Sequence, residues 1–260
     1  MPGSKGDSSV VILKSPKEIE KLRISNRIVA DILCRLEDEV KPGVDTLYLN
    51  DVAEKLASEK DAKPAFKGYK GYPYSLCTSV NNVVVHGLPS KKQLVEGDII
   101  SLDFGVLFDG YYGDAAITVP VGKISGTAMR LTRITREALY KGIEKAVPKG
   151  RLSDISYAVQ SHVETAGYSV VRIFVGHGIG SSLHEDPQIP NFGKPGMGAV
   201  LKPGMTLAIE PMVNEKGYEV DILEDGWTAI TKDGGLSAHF EHTVAVTENG
   251  PVILSERNGG

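Results

Sequence analysis

Two ten-residue stretches indicate how this chain folds: LVEGDIISLD at residues 94–103 and LKPGMTLAIE at residues 201–210. Each stretch passes from a glycine-containing turn into an apolar run, and each run ends on an acidic residue. A shift of 107 positions superposes three pairs of residues: Gly43 and Gly150, Gly97 and Gly204, and Asp103 and Glu210. The sequence therefore indicates an internal duplication in which each half ends a strand on a carboxylate.

Helical patterns precede the strands in both halves. Residues 15–18 (SPKE) combine a capping serine, a proline at the first helical position and a glutamate three residues after the serine, which predicts a helix start. Apolar residues at helical spacing continue this helix until Pro42, and a second helix runs to about Glu59. Helical patterning returns over residues 128–147 and 153–166.

Short β-branched runs broken by glycine and proline, such as residues 79–85 and 98–108, predict the strands. We therefore expect an α+β fold of two pseudo-twofold-related halves whose sheets join, with helices on one face and a cleft on the other. The predicted division is a tail at residues 1–14, a single domain at 15–254 with halves of about 15–122 and 123–254, and a tail at 255–260.

Composition excludes several classes of function. The 260 residues are 41% hydrophobic and 24% charged, which suits a full core. A formal net charge of -4 and a pI of about 5.9 argue against a surface that binds nucleic acid. Residues 1–9 are polar, and the apolar run after them is too short for a signal peptide or a membrane span, so we expect a cytoplasmic protein without membrane binding. Cys34 and Cys77 are too few for a disulfide framework.

A turn signal joins two acidic residues in the first half. The dipeptide Asp109-Gly110 favours a two-residue hairpin, which places Gly105 opposite Asp114. Asp103 and Asp114 then become diagonal neighbours on one face of the strand pair. Apolar residues surround Asp103, and an ionised carboxylate among them needs a cation or several donors. A bound metal meets that need, whereas either aspartate alone has an ordinary interpretation as a strand-end or edge charge.

The second half adds two acids and the histidines. Glu210 follows an apolar strand, and Glu241 opens another. His177 lies in the run GHGIG, whose glycines allow close backbone approach and are expected to leave the imidazole exposed; His184 follows seven residues later, and His86 ends a strand. A single histidine or the glycine run alone has a structural explanation, but four acids at duplicated strand positions are hard to explain as surface charge.

Oxygen-rich ligation with one or two imidazoles suits divalent Mn, Fe, Co or Zn and disfavours a structural thiolate zinc site. Two such ions lower the pKa of a bridging water and hold it beside a polarised carbonyl, an arrangement suited to amide hydrolysis. His162 and His239 are interpreted as structural, and His242 is expected to point away from the face that carries Glu241.

Together these residues resemble the type I methionine aminopeptidases of the pita-bread fold, over roughly residues 15–254. The motifs that carry the resemblance are VVVHG at 83–87, LD at 102–103, GD at 113–114, GHGIG at 176–180 with His184, IEPM at 209–212, DGWT at 225–228 and FEHT at 240–243. Glu210 and Glu241 are 31 positions apart, which leaves no room for the helical insertion of type II enzymes. We also expect no zinc-binding extension or other added domain at the N-terminus, which resembles the short bacterial form.

The resemblance implies removal of the initiator methionine from nascent or newly made proteins whose second residue is small, by metal-activated attack of water on the first peptide bond. It implies two divalent ions (Co, Mn, Fe or Zn), with Asp114 and Glu241 bridging, held by five ligands: Asp103, Asp114, His177, Glu210 and Glu241. Glu210 would also act as general base, His184 would stabilise the oxyanion, and His86 would bind near the substrate nitrogen.

The resemblance further implies a pocket for the methionine side chain, lined by Tyr69, Tyr72, Cys77 and Trp227. Phe66 and Leu183 stand in that pocket where some bacterial members carry cysteine and phenylalanine. Three residues match a family site for a monovalent cation, Na or K: Asn81, Val83 and Ser237. We expect a monomer. The resemblance also implies a transient association with the ribosome, for which the sequence contains no motif.

Three alternatives stay open at this stage. A proline-specific peptidase of the same fold usually carries an additional N-terminal domain, whereas the first helix here begins by about Pro16. A non-catalytic binding protein predicts broken ligand positions, and all five positions hold competent side chains. A structural cation site without hydrolysis would leave His86 and His184 without a role.

Overall fold

The computed structural model describes residues 10–257, and this part of the chain forms four α-helices and fifteen short strands. The helices are α1 (Pro16–Glu39), α2 (Thr46–Glu59), α3 (Gly126–Ile143) and α4 (Leu152–Thr165). The strands are β1 (Lys63–Pro64), β2 (Leu76–Val80), β3 (Val83–Val85), β4 (Ile99–Phe108), β5 (Tyr111–Pro120), β6 (Ser169–Val170), β7 (Val175–Gly178), β8 (Glu185–Pro190), β9 (Thr206–Ile209), β10 (Met212–Asn214), β11 (Val220–Ile222), β12 (Ala229–Thr231), β13 (Ser237–His239), β14 (Glu241–Thr247) and β15 (Gly250–Ile253).

The helix starts follow from local side-chain chemistry. At α1 the Ser15 hydroxyl accepts a hydrogen bond from Glu18 N at 3.4 Å, and Ser15 N donates to the Glu18 carboxylate at 2.8 Å. These bonds satisfy the backbone N–H groups of Ser15 and Glu18, which have no partner within the first turn of the helix. The predicted helix start is confirmed. Two helices end before the apolar pattern does: α3 at Ile143 and α4 at Thr165.

The main sheet contains nine strands, and every neighbouring pair in it is antiparallel. Its order is β1-β4-β5-β14-β9-β7-β8, with β2 also paired to β4 and β15 to β14. Strands of the two halves meet where Glu241 of β14 lies opposite Ala116 of β5. Two three-stranded sheets, β13-β10-β6 and β11-β12-β3, complete the fold.

One predicted strand is wrong. Residues 79–85 do not form a single strand, because Asn81 adopts a left-handed backbone (φ 56) and turns the chain between β2 and β3. Valines flank the two asparagines on both sides, and this pattern is compatible with one continuous strand or with two. The turn preference of asparagine is the only signal for two strands.

The core lies between the helices and the main sheet. One buried cluster draws side chains from all four helices and from strands of both halves, including Leu33, Leu49, Leu139, Ile155 and Leu207. The predicted α+β class is confirmed. The boundaries of the two halves and of the tails stay predictions, and residues 1–9 and 258–260 lie outside the described residues. Within residues 10–257, no helix is both long and apolar enough to cross a membrane.

Candidate metal centre and active site

The β4–β5 hairpin sets the first two acids. Its register pairs Phe108 with Tyr111 and Gly105 with Asp114, as the Asp109-Gly110 turn predicts. Asp103 lies in the middle of β4, opposite Ala116 of β5 and Cys77 of β2. Because successive side chains point to opposite faces, Leu102 and Phe104 enter the core while Asp103 faces a cavity.

The second half brings the other three polar residues to the same cavity. Glu241 begins β14, which lies between β5 and β9, and Glu210 directly follows β9. His177 of β7 pairs with Ala208 of β9, so its imidazole faces the same side as the acids. All five predicted ligand positions line a cavity of about 360 Å³. The predicted ligands from both halves of the duplication therefore lie together at one place on the joined sheet.

Distances within this group suit a divalent cation. Asp114, His177 and Glu241 each offer a ligand atom, and these three atoms lie within 4.8 Å of one another. His177 Nε2 is 3.5 Å from Glu210 Oε1. His177 Nδ1 is 2.9 Å from the carbonyl oxygen of Gly178, so that Nδ1–H donates there and the Nε2 lone pair faces the carboxylates.

The negative charge of the four neighbouring carboxylates also favours a bound cation. Burial raises the pKa of Asp103 to about 7, and burial together with the neighbouring carboxylates raises the pKa values of Asp114, Glu210 and Glu241. Three buried carboxylate oxygens of this cluster have no hydrogen-bond partner within the described residues: Oδ1 of Asp103, Oδ1 of Asp114 and Oε1 of Glu241. Buried, unpaired carboxylate oxygens are costly, and a hard or borderline divalent ion satisfies them. The donor set therefore fits a metal centre.

The glycines around His177 permit its placement. A Cβ on Gly176 would lie 2.4 Å from the Ala208 carbonyl oxygen, and one on Gly178 would lie 2.2 Å from the Asp186 carbonyl oxygen. The expected close backbone approach is thus present. The expected exposure of the imidazole is wrong: His177 is only 6% exposed, because β8 and β9 flank it on both sides. Burial lowers its pKa to about 4, which keeps the ring neutral and able to bind a metal.

His184 and His86 both line the cavity. His184 Nδ1 is 2.8 Å from the Tyr69 hydroxyl, and the His184 ring centroid is 4.2 Å from that of His177. His86 has a left-handed backbone (φ 59) at the end of β3, and its ring packs edge-on against Phe174 at 5.1 Å. Burial lowers the pKa of His86 to about 4, so this ring is neutral at pH 7.

The predicted pocket residues line the same cavity: Phe66, Tyr69, Tyr72, Cys77, Leu183 and Trp227. Tyr72 packs edge-on against Trp227 at 5.2 Å, and its hydroxyl donates to the carbonyl oxygens of Leu76 and Gly87. Burial raises the pKa of the Cys77 thiol, which makes it a poor nucleophile and a packing residue. An aromatic and thiol wall of this kind suits a thioether side chain.

Sequence reasoning missed part of the wall. Ile173, Phe174 and Met212 also line the cavity, and their apolar character gave no signal beyond core formation. His239, which was interpreted as structural, also lines the cavity, and its buried Nε2 has no hydrogen-bond partner within the described residues. Its structural role stays a prediction. Its position two residues before Glu241 was the available signal.

The other histidines lie where they were predicted. His242 points away from the cavity, with Nδ1 2.9 Å from the Ser255 hydroxyl, and His162 Nε2 is 3.1 Å from Glu137 on the helical surface. At the predicted monovalent-cation site the structure brings Asn81 beside Ser237, whose backbone N donates to the Asn81 carbonyl oxygen at 2.8 Å. Val83 lies two positions after Asn81 in the sequence and pairs with Ile230.

Comparisons with known proteins agree with this geometry. Residues 20–248 match the sequence profile of "Metallopeptidase family M24". A methionine aminopeptidase of Clostridium perfringens is 52% identical over 246 residues, which cover 95% of this chain and 99% of that protein. The crystal structure of methionine aminopeptidase from Thermotoga maritima superposes with a TM-score of 0.94 at 48% identity, covering 95% of this chain and 100% of that one.

A more distant structure shares the fold. The prolidase from Pyrococcus furiosus superposes with a TM-score of 0.78 at 25% identity, covering 95% of this chain and 66% of that one. The predicted pita-bread fold is thereby confirmed. Given the profile match, the extent of the identity and a buried carboxylate and imidazole cluster in the cavity, the chain belongs to the metallopeptidases of family M24 and, within them, to the methionine aminopeptidase family.

Proposed function

We propose that this chain removes the N-terminal methionine from polypeptides by metal-assisted hydrolysis of the first peptide bond. The observation that carries the proposal is a group of four carboxylates and one neutral imidazole in the wall of a cavity that is lined elsewhere mostly by aromatic and apolar residues. Asp114 and Glu241 are buried, and Asp103 and Glu210 are half-buried. The cluster suits hydrolysis, and the apolar wall suits a methionine side chain. The relatives from Clostridium perfringens and Thermotoga maritima are named methionine aminopeptidases.

The metal centre is proposed to hold two divalent ions of Co, Mn, Fe or Zn. The residues that would hold the ions are Asp103, Asp114, His177, Glu210 and Glu241. When bound, such ions supply a water of lowered pKa and polarise the scissile carbonyl. A monovalent cation, Na or K, is proposed beside Asn81, Val83 and Ser237.

The protein's own groups then move protons and orient the substrate. Glu210 faces the cavity beside His177 and is proposed as the base that takes the proton of the attacking water. The Tyr69 hydroxyl is proposed to donate to His184 Nδ1, which lies 2.8 Å away. The His184 proton would then be on Nε2, available to the oxyanion. Partial burial, followed by the nearby His177, Lys70 and His86, lowers the pKa of His184, so the ring stays neutral at pH 7.

Substrate binding is proposed to use both ends of the cavity. His86, whose ring packs against Phe174 and Trp227, is proposed to contact the first peptide nitrogen. The methionine side chain would occupy the pocket formed by Phe66, Tyr69, Tyr72, Cys77, Leu183 and Trp227. The proposed substrates are nascent or newly made polypeptides with a small second residue. The chain is proposed to act as a monomer in the cytoplasm. Transient association with the ribosome rests on the family resemblance alone.

Methionine release from a Met-Ala-Ser peptide tests this function directly. Metal-stripped protein should be inactive, and adding Mn, Fe, Co or Zn should restore release. Glu210→Gln should lower kcat by about 100-fold or more, because the amide cannot accept the proton of water. An N-acetylated peptide should not be cleaved, since the free amine is lost.

The same assay separates the competing functions. A proline-specific peptidase, favoured only by the similarity to the prolidase, would cleave Met-Pro and Ala-Pro in preference to Met-Ala-Ser. Folded protein that binds metals yet releases no methionine from any of these peptides would contradict the catalytic proposal and favour a binding module.

Tyr69→Phe tests the proposed role of the tyrosine hydroxyl. Loss of that hydroxyl leaves His184 Nδ1 without its donor, so the ring is free to take the other tautomer and to rotate. We expect kcat for Met-Ala-Ser to fall by about tenfold with a small change in KM. Tyr48→Phe is the matched control, because the exposed Tyr48 of α2 donates to Glu39 at the end of α1. An unchanged kcat for Tyr69→Phe would show that the contact does not orient His184.

A further inference from the structure

A nearly fully buried ion pair joins two distant parts of the chain. Lys14 Nζ contacts the Glu185 carboxylate, and the two side chains are 3% and 6% exposed. Lys14 Nζ also donates to the Ile12 carbonyl oxygen at 3.1 Å. Removing both charges from water is costly, and the loss of one partner leaves the other buried and unpaired. The pair is therefore a strong constraint on the segments that carry it.

On one side the pair holds the loop at residues 179–184. Glu185 directly follows His184, and it lies opposite Gly178, the neighbour of His177, in the β7–β8 pairing. Glu185 Oε1 also accepts a hydrogen bond from Ser182 N at 3.2 Å, inside the loop. A Cβ on Gly180 would lie 2.4 Å from Glu185 Oε1 and 2.5 Å from Lys14 Cε. The loop therefore packs directly onto the ion pair.

On the other side the pair is anchored to the main sheet. Lys14 N donates to the Gly204 carbonyl oxygen at 2.7 Å, and Gly204 N donates to the Val246 carbonyl oxygen at 3.0 Å. Val246 belongs to β14, the strand that Glu241 begins. A continuous set of contacts thus runs from β14 through Lys14 and Glu185 to the loop that presents His184.

We infer that Lys14 is a positioning residue for His184. The ion pair fixes the loop at residues 179–184 relative to β14, so that His184 keeps its 2.8 Å contact with the Tyr69 hydroxyl and faces the reaction site. This inference rests on the proposed function, in which His184 stabilises the oxyanion. Lys14 does not line the cavity, so it acts through the loop.

Lys14→Met removes the ammonium and keeps most of the side-chain volume. The Glu185 carboxylate is then buried without a cation and moves toward water, which shifts the adjoining His184. We expect kcat for Met-Ala-Ser to fall by about tenfold or more, because small misplacements of a catalytic group have large effects. Metal affinity and KM should change by less than about twofold. Lys60→Met is the matched control, since it removes an exposed pair with Asp31 between α1 and α2.

A double-mutant cycle with His184→Ala distinguishes positioning from general destabilisation. If Lys14 acts through His184, Lys14→Met should change kcat by less than about twofold once His184 is already alanine. An equal loss in both backgrounds would overturn the inference. Glu185→Gln keeps the acceptor for Ser182 N and serves as the second variant in the same cycle if Lys14→Met does not fold.

A measurement on metal-free protein makes the test independent of activity. Histidine ¹⁵N resonances report the tautomer and hydrogen bonding of His184. We expect Lys14→Met to shift the His184 Nδ1 resonance in the same direction as Tyr69→Phe does, while Lys60→Met leaves it unchanged. Unaltered His184 resonances in Lys14→Met would overturn the inference. Absence of methionine release by wild-type protein would instead contradict the proposed function, and the resonances would still be measurable.

Discussion

Asp114→Asn is expected to stabilise the metal-free protein and, at the same time, to abolish its stabilisation by metal. Asp114 is 3% exposed, one of its oxygens has no partner within the described residues, and burial and the neighbouring carboxylates raise its pKa. Neutralising it should raise the free energy of unfolding of metal-stripped protein by on the order of 2 kcal/mol. The wild type should gain about 4 kcal/mol from metal at 1,000 times Kd, and the variant should not.

The pH dependence of this effect has a defined sign. A carboxyl group whose folded-state pKa is raised destabilises the folded state as pH rises above its unfolded pKa, and the full cost is reached above the folded pKa. For Asp103 this window runs from its ordinary value of 3.8 to about 7. Metal-free wild type should therefore lose stability as pH rises through this window, and Asp114→Asn should lose less.

Chemical unfolding of metal-stripped and metal-loaded protein at several pH values checks both statements. Asp38→Asn, an exposed position on α1, is the matched control and should change the unfolding free energy by no more than about 0.5 kcal/mol. A metal-free Asp114→Asn protein that is less stable than wild type would contradict the view that these carboxylates repel one another.

Gly178→Ala is expected to damage both the fold and the metal centre. The added Cβ would lie 2.2 Å from the carbonyl oxygen and 2.7 Å from the carbonyl carbon of Asp186, and backbone atoms cannot rotate away. β7 and β8 must then separate next to His177. We expect a loss of about 3 kcal/mol in unfolding free energy, or about 10 °C in Tm, and a fall in metal affinity of about tenfold or more.

Calorimetric unfolding and metal titration of the variant check this expectation. Gly126→Ala is the matched control, because a Cβ at this first position of α3 meets nothing within 4 Å and its backbone is not left-handed. It should leave Tm and metal affinity unchanged or raise Tm slightly. Normal metal affinity in Gly178→Ala would mean that the β7–β8 contact does not set the position of His177.

Local sequence signals fixed several elements with little help from the rest of the chain. The capping box at Ser15 and Glu18 starts α1, and the Asp109-Gly110 turn sets the register that places Gly105 opposite Asp114. Capping and tight turns depend on residues within a few positions of one another, which explains why they are readable from a single sequence. The relation between Asp103 and Glu210 was visible for a different reason, since duplication repeats a pattern.

Other features depended on neighbours far away in sequence. His177 was expected to be exposed but is buried, because β8 and β9 close around it. His239 was interpreted as structural, yet its imidazole lines the cavity. Lys14 was assigned to a tail, and its side chain is buried against Glu185. The burial of each of these side chains depends on contacts with residues far away in the sequence, which the local sequence pattern does not identify.

The sequence by itself determined the α+β class, the four helices, the β4–β5 register and the residues from which a metal centre could be built. Only the tertiary structure decided that Asp103, Asp114, His177, Glu210 and Glu241 share one cavity, which residues complete its wall, and which contacts hold His184 in place. The physical reason is range: caps, turns and strand faces follow from covalent neighbours, whereas the distance between carboxylates on β4, β5 and β14 follows from how the two halves join.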